Sequence, residues 1–314
     1  MKPLLIILGP TASGKTNLAT KVCKIVNGEI ISADSRQIYR GMDIGTGKDL
    51  HEYVVDSYII PHHLINIRDA GEQYNVNEFQ HDFKLTYQEI DQRKATAVVC
   101  GGTGFYIHSI LSGHAFSSIP VNMELRSSLE TLTDAELKTV FSKYQTAYSN
   151  LADISTRKRL VRAIEISDFL VKNPEKNTEL RDQKPGYKAI IYGLNPPVET
   201  RRQRITNRLN TRLHDGLIAE VQGLLNSGIT PEQLIYYGLE YKFVTLYLTG
   251  QMRYEDMKTK LETEIHRFAK RQMTFFRKME RDGHNINWLE SDTDAGNQAE
   301  FVVQHYEEAI RKFY

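Results

Sequence analysis

An α/β fold, built as a parallel sheet flanked by helices with an all-helical insertion domain, follows from three observations on this 314-residue chain. Short apolar runs recur along the sequence, separated by stretches long enough for helices, which is the pattern of a parallel sheet with crossover helices. The first of these runs ends in a glycine-bearing loop that leads into a helical pattern. Between residues 114 and 187 the strand-like runs stop, and leucines repeat at helical spacing instead. The expected organisation is an α/β core formed by residues 1–113 and 188–314, interrupted by a helical domain at 114–187.

Leu4–Leu8 is continuously apolar and stops at Gly9-Pro10, so it predicts a strand buried on both faces. Similar runs at Glu29–Ser32, His63–Ile67, Thr96–Cys100 and Ala189–Leu194 predict further strands, with a helix at Val76–Arg93 between two of them. In the insertion, Leu125, Leu129, Leu132, Leu137 and Phe141, then Leu160, Ile164 and Phe169, mark helical faces. After the last core strand, Ile205, Leu209, Leu213, Leu217 and Val221 recur every four residues and predict one helix over Thr200–Leu225. A long helix over Tyr254–Arg281 carries Met257, Leu261, Ile265, Phe268, Met273, Phe276 and Met279 on one side, and Asn285–Leu289 reads as a polar strand.

Composition narrows the class. With 40% hydrophobic and 25% charged residues and only 9 prolines, the chain is neither disordered, nor collagen-like, nor a disulfide scaffold. Leu4–Leu8 is too short to span a bilayer or to act as a secretory core, so a cytoplasmic protein is expected. The two cysteines, Cys23 and Cys100, have no metal-ligand spacing and read as buried reduced thiols. A net charge of +1 conceals an asymmetry: residues 1–150 carry −2, residues 151–285 carry +7 and residues 286–314 carry −4. A polyanion would be met by the middle stretch, although a solvated basic face would read the same way.

The strongest motif is Gly9-Pro10-Thr11-Ala12-Ser13-Gly14-Lys15-Thr16, a glycine, four residues and then Gly-Lys-Thr, placed after a strand and before a helix. This is the P-loop pattern, and it predicts a P-loop NTPase-like core. Successive backbone N–H groups converge on one anion at a helix N-terminus, Lys15 adds a point charge, and the Thr16 hydroxyl can hold Mg²⁺. Asp34 follows the next strand in Ser32-Ala33-Asp34-Ser35-Arg36-Gln37, and Thr103 follows a later one in Gly101-Gly102-Thr103-Gly104. A parallel sheet brings all three strand ends to one carboxyl edge, where ligand sites of α/β proteins form. A helix cap at Asp34 and a plain turn at Thr103 are the readings for either alone; their coincidence with the loop favours a site.

These segments, with Asp34–Thr46 and Gly101–Tyr106, resemble the tRNA dimethylallyltransferase (isopentenyltransferase) family. Arg159–Glu165, Arg204–Arg208, Gly216–Val221 and Ala269–Thr274 extend the resemblance from Gly9 to about Arg277. It implies transfer of the dimethylallyl group from its diphosphate to N6 of the adenosine immediately 3′ of the anticodon. By the same resemblance, Asp34 is the general base and Thr103 positions the reacting groups. The P-loop and Arg208 hold the diphosphate with Mg²⁺ on Thr16. The tRNA anticodon stem-loop is met by Asp34, Ser35, Arg36, Gln37, Arg126, Lys158, Arg159, Arg162, Tyr237, Gly238, Lys270 and Arg271. The Tyr236-Tyr237 pair could stack on a base, though packing under a loop is the commoner role. A monomer is expected, because the RNA itself supplies the large partner surface.

Three places depart from the family pattern. Thr46-Gly47-Lys48-Asp49 stands where Thr-Ala-Lys-Pro is usual, so the turn there is expected to take a different path. Ser155-Thr156 replaces Asn-Asp, and Gly238-Leu239-Glu240-Tyr241-Lys242 replaces Gly-Tyr-Arg/Lys-Gln. The alternative function is a P-loop small-molecule kinase using ATP, which the Gly-Gly-Thr end of the Thr96–Cys100 run, lacking a Mg²⁺-holding acid, argues against. A nucleotide switch would need guanine-recognition strings that the sequence does not contain.

Overall fold

Leu4–Leu8 forms a strand, β1, with every residue buried, as a continuous apolar run between two sheet neighbours requires. The computed structural model describes residues 2–113, 115–181, 186–290 and 293–313. Helix α1 (Lys15–Val26) follows the glycine loop and leads to β2 (Gly28–Ser32). A two-stranded hairpin of β3 (Val54–Val55) and β4 (Tyr58–Ile59) precedes β5 (His62–His63), α2 (Val76–Gln92), β6 (Thr96–Gly101) and α3 (Gly104–Ser112). Four helices, α4 (Met123–Leu129), α5 (Asp134–Ser142), α6 (Arg157–Lys172) and α7 (Pro174–Arg181), make up the insertion. The chain returns to the sheet through β7 (Ala189–Leu194). It continues through α8 (Val198–His214), α9 (Leu217–Asn226), α10 (Pro231–Tyr236) and α11 (Leu239–Leu248), and ends with α12 (Tyr254–Arg281), β8 (Ile286–Leu289) and α13 (Ala295–Phe313).

Six strands pair in the order β5-β2-β6-β1-β7-β8, and every pairing is parallel. Leu5 stands between Val98 of β6 and Ile190 of β7. One face of the sheet, with Leu5, Ile7, Val98 and Tyr192, packs against Leu18 and Val22 of α1 and Val302 and Tyr306 of α13. Among the described residues no helix is long and apolar enough to cross a membrane.

By contact the chain divides into two compact units, Met1–His108 with Tyr187–Tyr314, and Ser109–Gly186. This division gives the last residues of α3 to the helical unit, whereas the sequence reading starts the insertion at 114. Within the helical unit Asn122, Thr133 and Thr156 cap α4, α5 and α6 with their side chains. Leu129, Leu137, Leu160 and Ile164 form its core, the leucine faces read from the sequence.

Three elements differ from expectation. The run His63–Ile67 gives only the two-residue β5, because Leu64 at φ 60° and Asn66 at φ 57° turn into the left-handed region and end the extended chain. The helix expected over Thr200–Leu225 is two helices, broken where Gly216 adopts φ 108°. Helix α13 was not anticipated, since Ala299, Val302, Val303 and Tyr306 are a sparse apolar stripe in a segment read only as acidic.

The exits of β2 and β6 approach each other at their backbones. Ala33 N–H donates to Cys100 O (2.8 Å) and Thr103 N–H to Ala33 O (3.1 Å). A Cβ on Gly101 would lie 2.2 Å from Ala33 O, which only backbone movement could relieve. Gly101→Ala is therefore expected to cost about 1–3 kcal/mol, read as a lower urea midpoint with an unchanged slope.

Candidate active site

The carboxyl ends of β1, β2 and β6 release the glycine loop, Asp34 and Thr103 at one edge, where they line a single cavity of about 510 Å³. Ala12 at φ 61° and Gly14 at φ 90° bend the loop through left-handed conformations. Helix α1 then starts at Lys15 with no side-chain cap, so its first amides point towards the loop's concave side as an anion site. Ser13 Oγ is buried with no hydrogen-bond partner among the described residues.

Asp34–Gln37 is a turn held at each position. Asp34 Oδ1 accepts the Arg36 N–H (3.0 Å), and Thr103 Oγ1 accepts the Ser35 N–H (3.0 Å). Arg36 is fixed by Glu240 (3.2 Å) and lies 4.8 Å over the Phe268 ring. Gly238, at φ 139°, packs so close to the Arg36 guanidinium that a Cβ there would lie 2.7 Å from it. Gln37 is engaged at both ends: its Oε1 accepts from Ser32 Oγ and its Nε2 donates to Gly47 O, each at 3.0 Å. Thr103 thus supports the turn that presents Asp34.

Opposite charge enters from α8. Arg204, Arg208 and Arg212 recur every four residues, share one helix face and all line the cavity. Arg208 donates to Thr11 Oγ1, Arg204 lies 3.5 Å from Ser13 O, and Arg212 pairs with Asp49 (3.2 Å). Desolvation, reinforced by Arg212, pushes the Arg208 guanidinium down to about 10. Burial raises Glu52, another cavity residue, above the usual carboxylate range, with Asp49 adding to the effect. Cations and carboxylates thus share this wall: Lys15, Arg204, Arg208 and Arg212 stand with Asp34, Asp49 and Glu52. Only Arg208 of the three was expected; the four-residue spacing of arginines, each one position before the apolar series Ile205, Leu209 and Leu213, carries the signal for the others.

Gln272 of α12 also joins the site. Its Oε1 accepts the Thr11 N–H and its Nε2 donates to Gly102 O, both at 2.8 Å, tying the phosphate loop to the Thr103 turn. The thiols take no part: burial pushes Cys100 up to about 12 and holds Cys23 well above its ordinary value.

The expected RNA-facing residues fall into different situations. In the helical unit, Arg126 makes a two-pronged pair with the fully buried Glu165 (2.8 Å twice), and Arg162 donates to the carbonyls of Ile119 and Pro120. Arg159 pairs with Asp153 at the surface, 2.9 Å apart, and Lys158 is exposed. In the larger unit Lys270 and Arg271 are exposed on α12. Tyr237 is only 5% exposed, packed on Tyr39, its hydroxyl donating to Glu72 O and accepting from Gly71 N–H. The ring open to solvent at that corner is Tyr236, 62% exposed.

The turn that departs from the family pattern runs through left-handed backbone. Gly47 has φ 64° and Asp49 φ 42°, a region closed to proline and costly for alanine. Lys48 is buried, its ammonium bound to Asp43 (2.6 Å), Asn66 Oδ1 and Tyr39 O.

Residues 37–279 match the family model described as IPP transferase, and residues 2–59 match one described as isopentenyl transferase. The chain belongs to the IPP transferase family. Among its relatives, a tRNA dimethylallyltransferase of Porphyromonas gingivalis is 51% identical over 96% of this chain and 99% of its own. One of Bacteroides fragilis is 49% identical over 97% and 98%. Among solved structures, the tRNA isopentenylpyrophosphate transferase of Bacillus halodurans superposes with a TM-score of 0.71 at 28% identity, covering 99% of this chain and 98% of that one. A eukaryotic dimethylallyltransferase acting on tRNA gives 0.76 at 25% identity, covering 99% and 78%. This IPP transferase is accordingly a prenyl-transferring enzyme by family, and the kinase alternative has no support in these relatives.

Inorganic diphosphate is expected to raise the thermal midpoint, adding about 2.7 kcal/mol at a hundredfold excess over its Kd. Arg208→Met should lose most of that shift while the unliganded protein is no less stable, because a desolvated charge has been removed. Differential scanning calorimetry with and without diphosphate checks both halves.

Proposed function

We propose that this enzyme transfers the dimethylallyl group from dimethylallyl diphosphate to N6 of the adenosine immediately 3′ of the anticodon in tRNA, releasing diphosphate. The observation that carries the proposal is the sharing of one cavity by Asp34, the phosphate loop and the arginine row of α8. Cleavage of the allylic C–O bond leaves charge on diphosphate, and groups already aimed at that charge lower the barrier most. Lys15, Arg208, Arg204 and the amides at the start of α1 are those groups.

The residues fit a magnesium ion. Thr16 lines the cavity together with the carboxylates Asp34, Asp49 and Glu52, oxygen donors of the kind taken by a cation that keeps several waters and shares diphosphate oxygens. Thr16 would hold it, and it would neutralise part of the leaving-group charge.

The adenine amine is a weak nucleophile because its lone pair is delocalised into the ring. Asp34 accepts the amine proton as the N–C bond forms, and its turn is fixed by Thr103 and Arg36 so that the carboxylate costs no reorganisation at that moment. The target base leaves its stack to enter, at a cost of a few kcal/mol. Phosphates of the RNA are offered cations at a helix start: Arg157, Lys158 and Arg159 occupy the first turn of α6, with no acid among them. Arg157 and Arg159 hold Asp134 and Asp153 in exposed pairs, which an RNA phosphate displaces at small cost. Lys270 and Arg271 offer exposed cations in the second half of α12. Arg126, Arg162 and Tyr237, also expected to meet the RNA, already hold protein partners and would exchange them on binding. A monomer is the expected assembly, because the RNA itself supplies the large partner surface.

Protein, Mg²⁺, unmodified tRNA and either dimethylallyl diphosphate or ATP should give a five-carbon mass gain on the RNA with the first donor alone. Consumption of ATP without that gain would defeat the proposal. Asp34→Asn keeps the acceptor for the Arg36 N–H and removes the base, so turnover is expected to fall about 10²–10⁴-fold with tRNA affinity nearly unchanged in filter binding.

A further inference from the structure

The loop from Asp43 to Asp49 lines the cavity through Gly45, Thr46, Gly47 and Asp49, yet it contains none of the expected site residues. Three successive backbone N–H groups on it converge on one carboxylate. Asp43 and Ile44 donate to Glu220 Oε2, each at 2.7 Å, and Gly45 donates to Glu220 Oε1 at 3.0 Å. The Tyr241 hydroxyl gives Oε1 a second bond at 2.7 Å. Convergent amides of this kind form a concavity for an anion, and here the anion is a side chain from α9. Burial and the neighbouring carboxylate hold the Tyr241 phenol protonated, well above its ordinary range, so it remains a donor. Gly45 has no room for a side chain, since a Cβ would sit 2.6 Å from the Tyr241 ring.

What the loop then does is position two groups of the site. Gly47 O accepts from Gln37 Nε2 (3.0 Å), three residues from Asp34. Gly47 also lies against the Arg212 guanidinium, where a Cβ would meet Nη2 at 1.9 Å, and Asp49 pairs with Arg212. Glu220 reaches the loop because Gly216 breaks α8 from α9 and redirects the chain.

We infer that Glu220 is a positioning residue for the transfer reaction: its carboxylate fills the amide nest at residues 43–45 and so holds the loop that fixes Gln37 next to the base-bearing turn and Arg212 in the cavity wall. The inference rests on the transferase reading. It extends that reading to a residue that touches neither substrate nor metal.

The test uses full-length Glu220→Ala, which empties the nest. Its kcat/KM should fall about 10–100-fold, the size expected of slight misplacement of reacting groups. Added acetate should restore a large part of the loss by occupying the nest, while sodium chloride at equal ionic strength should not; a merely structural role predicts no such rescue. Tyr241→Phe, which keeps the three amide contacts, should lose less. Should Glu220→Ala fail to fold, Glu220→Gln takes its place: it retains one acceptor oxygen, and kcat/KM should fall with an unchanged thermal midpoint. Wild-type turnover in either variant, or a loss in folded Glu220→Ala that acetate leaves untouched, overturns the role of Glu220. Absence of a five-carbon gain with the wild-type protein would instead defeat the transferase reading, so the two failures are distinguishable.

Discussion

Backbone against backbone, Ala33 and Gly101 meet where β2 and β6 leave the sheet, and the active-site geometry depends on that contact. The absence of a Cβ at Gly101 lets the Thr103 N–H bond to Ala33 O and the Thr103 hydroxyl reach the Ser35 amide. The turn carrying Asp34 is thereby fixed to the neighbouring strand rather than left as a free loop. Parallel register does the rest, since β1 lies beside β6 and its exit delivers the phosphate loop to the same edge. Rigid strands thus set the relation between Asp34 and the glycine loop, the kind of support a precise site requires.

Electrostatics complete the site from outside the sheet. Helix α8 aims three arginines into the cavity, and burial makes Arg208 reluctant to hold its proton. A cavity wall that gathers buried guanidinium groups suits a multiply charged anion, and it gains most when that ligand acquires further charge. This fits a leaving diphosphate better than a neutral substrate, and it ties the P-loop to a reaction in which no phosphoryl group moves.

Much of this was legible along the chain. The continuous apolar runs gave the parallel strands, because a strand covered on both faces has no polar side to show. Gly9–Thr16 gave the bent loop ahead of α1, because its shape lies in backbone geometry that local sequence dictates. The helical insertion showed in its leucine spacing. Other features were hidden for physical reasons. The break at Gly216 depends on one residue's φ, which an uninterrupted four-residue apolar series masks. Helix α13 has too few apolar residues to declare itself until α1 is there to cover them. For the Tyr236-Tyr237 pair, stacking and packing stayed open in the sequence, because the partners of the Tyr237 hydroxyl, Gly71 and Glu72, lie far away along the chain.

By itself the sequence determined the strand order of chemistry, from phosphate loop to Asp34 to Thr103, and the family to which the chain belongs, because those signals are local. Only the tertiary structure decided which partner each charged side chain takes. Arg126 and Arg162 are committed to Glu165 and to carbonyls, whereas Arg204 and Arg212 turn to the cavity and Glu220 is drawn to a loop 175 residues away. A side chain's partner is set by the fold's long-range packing, and charge alone does not reveal which neighbour will claim it.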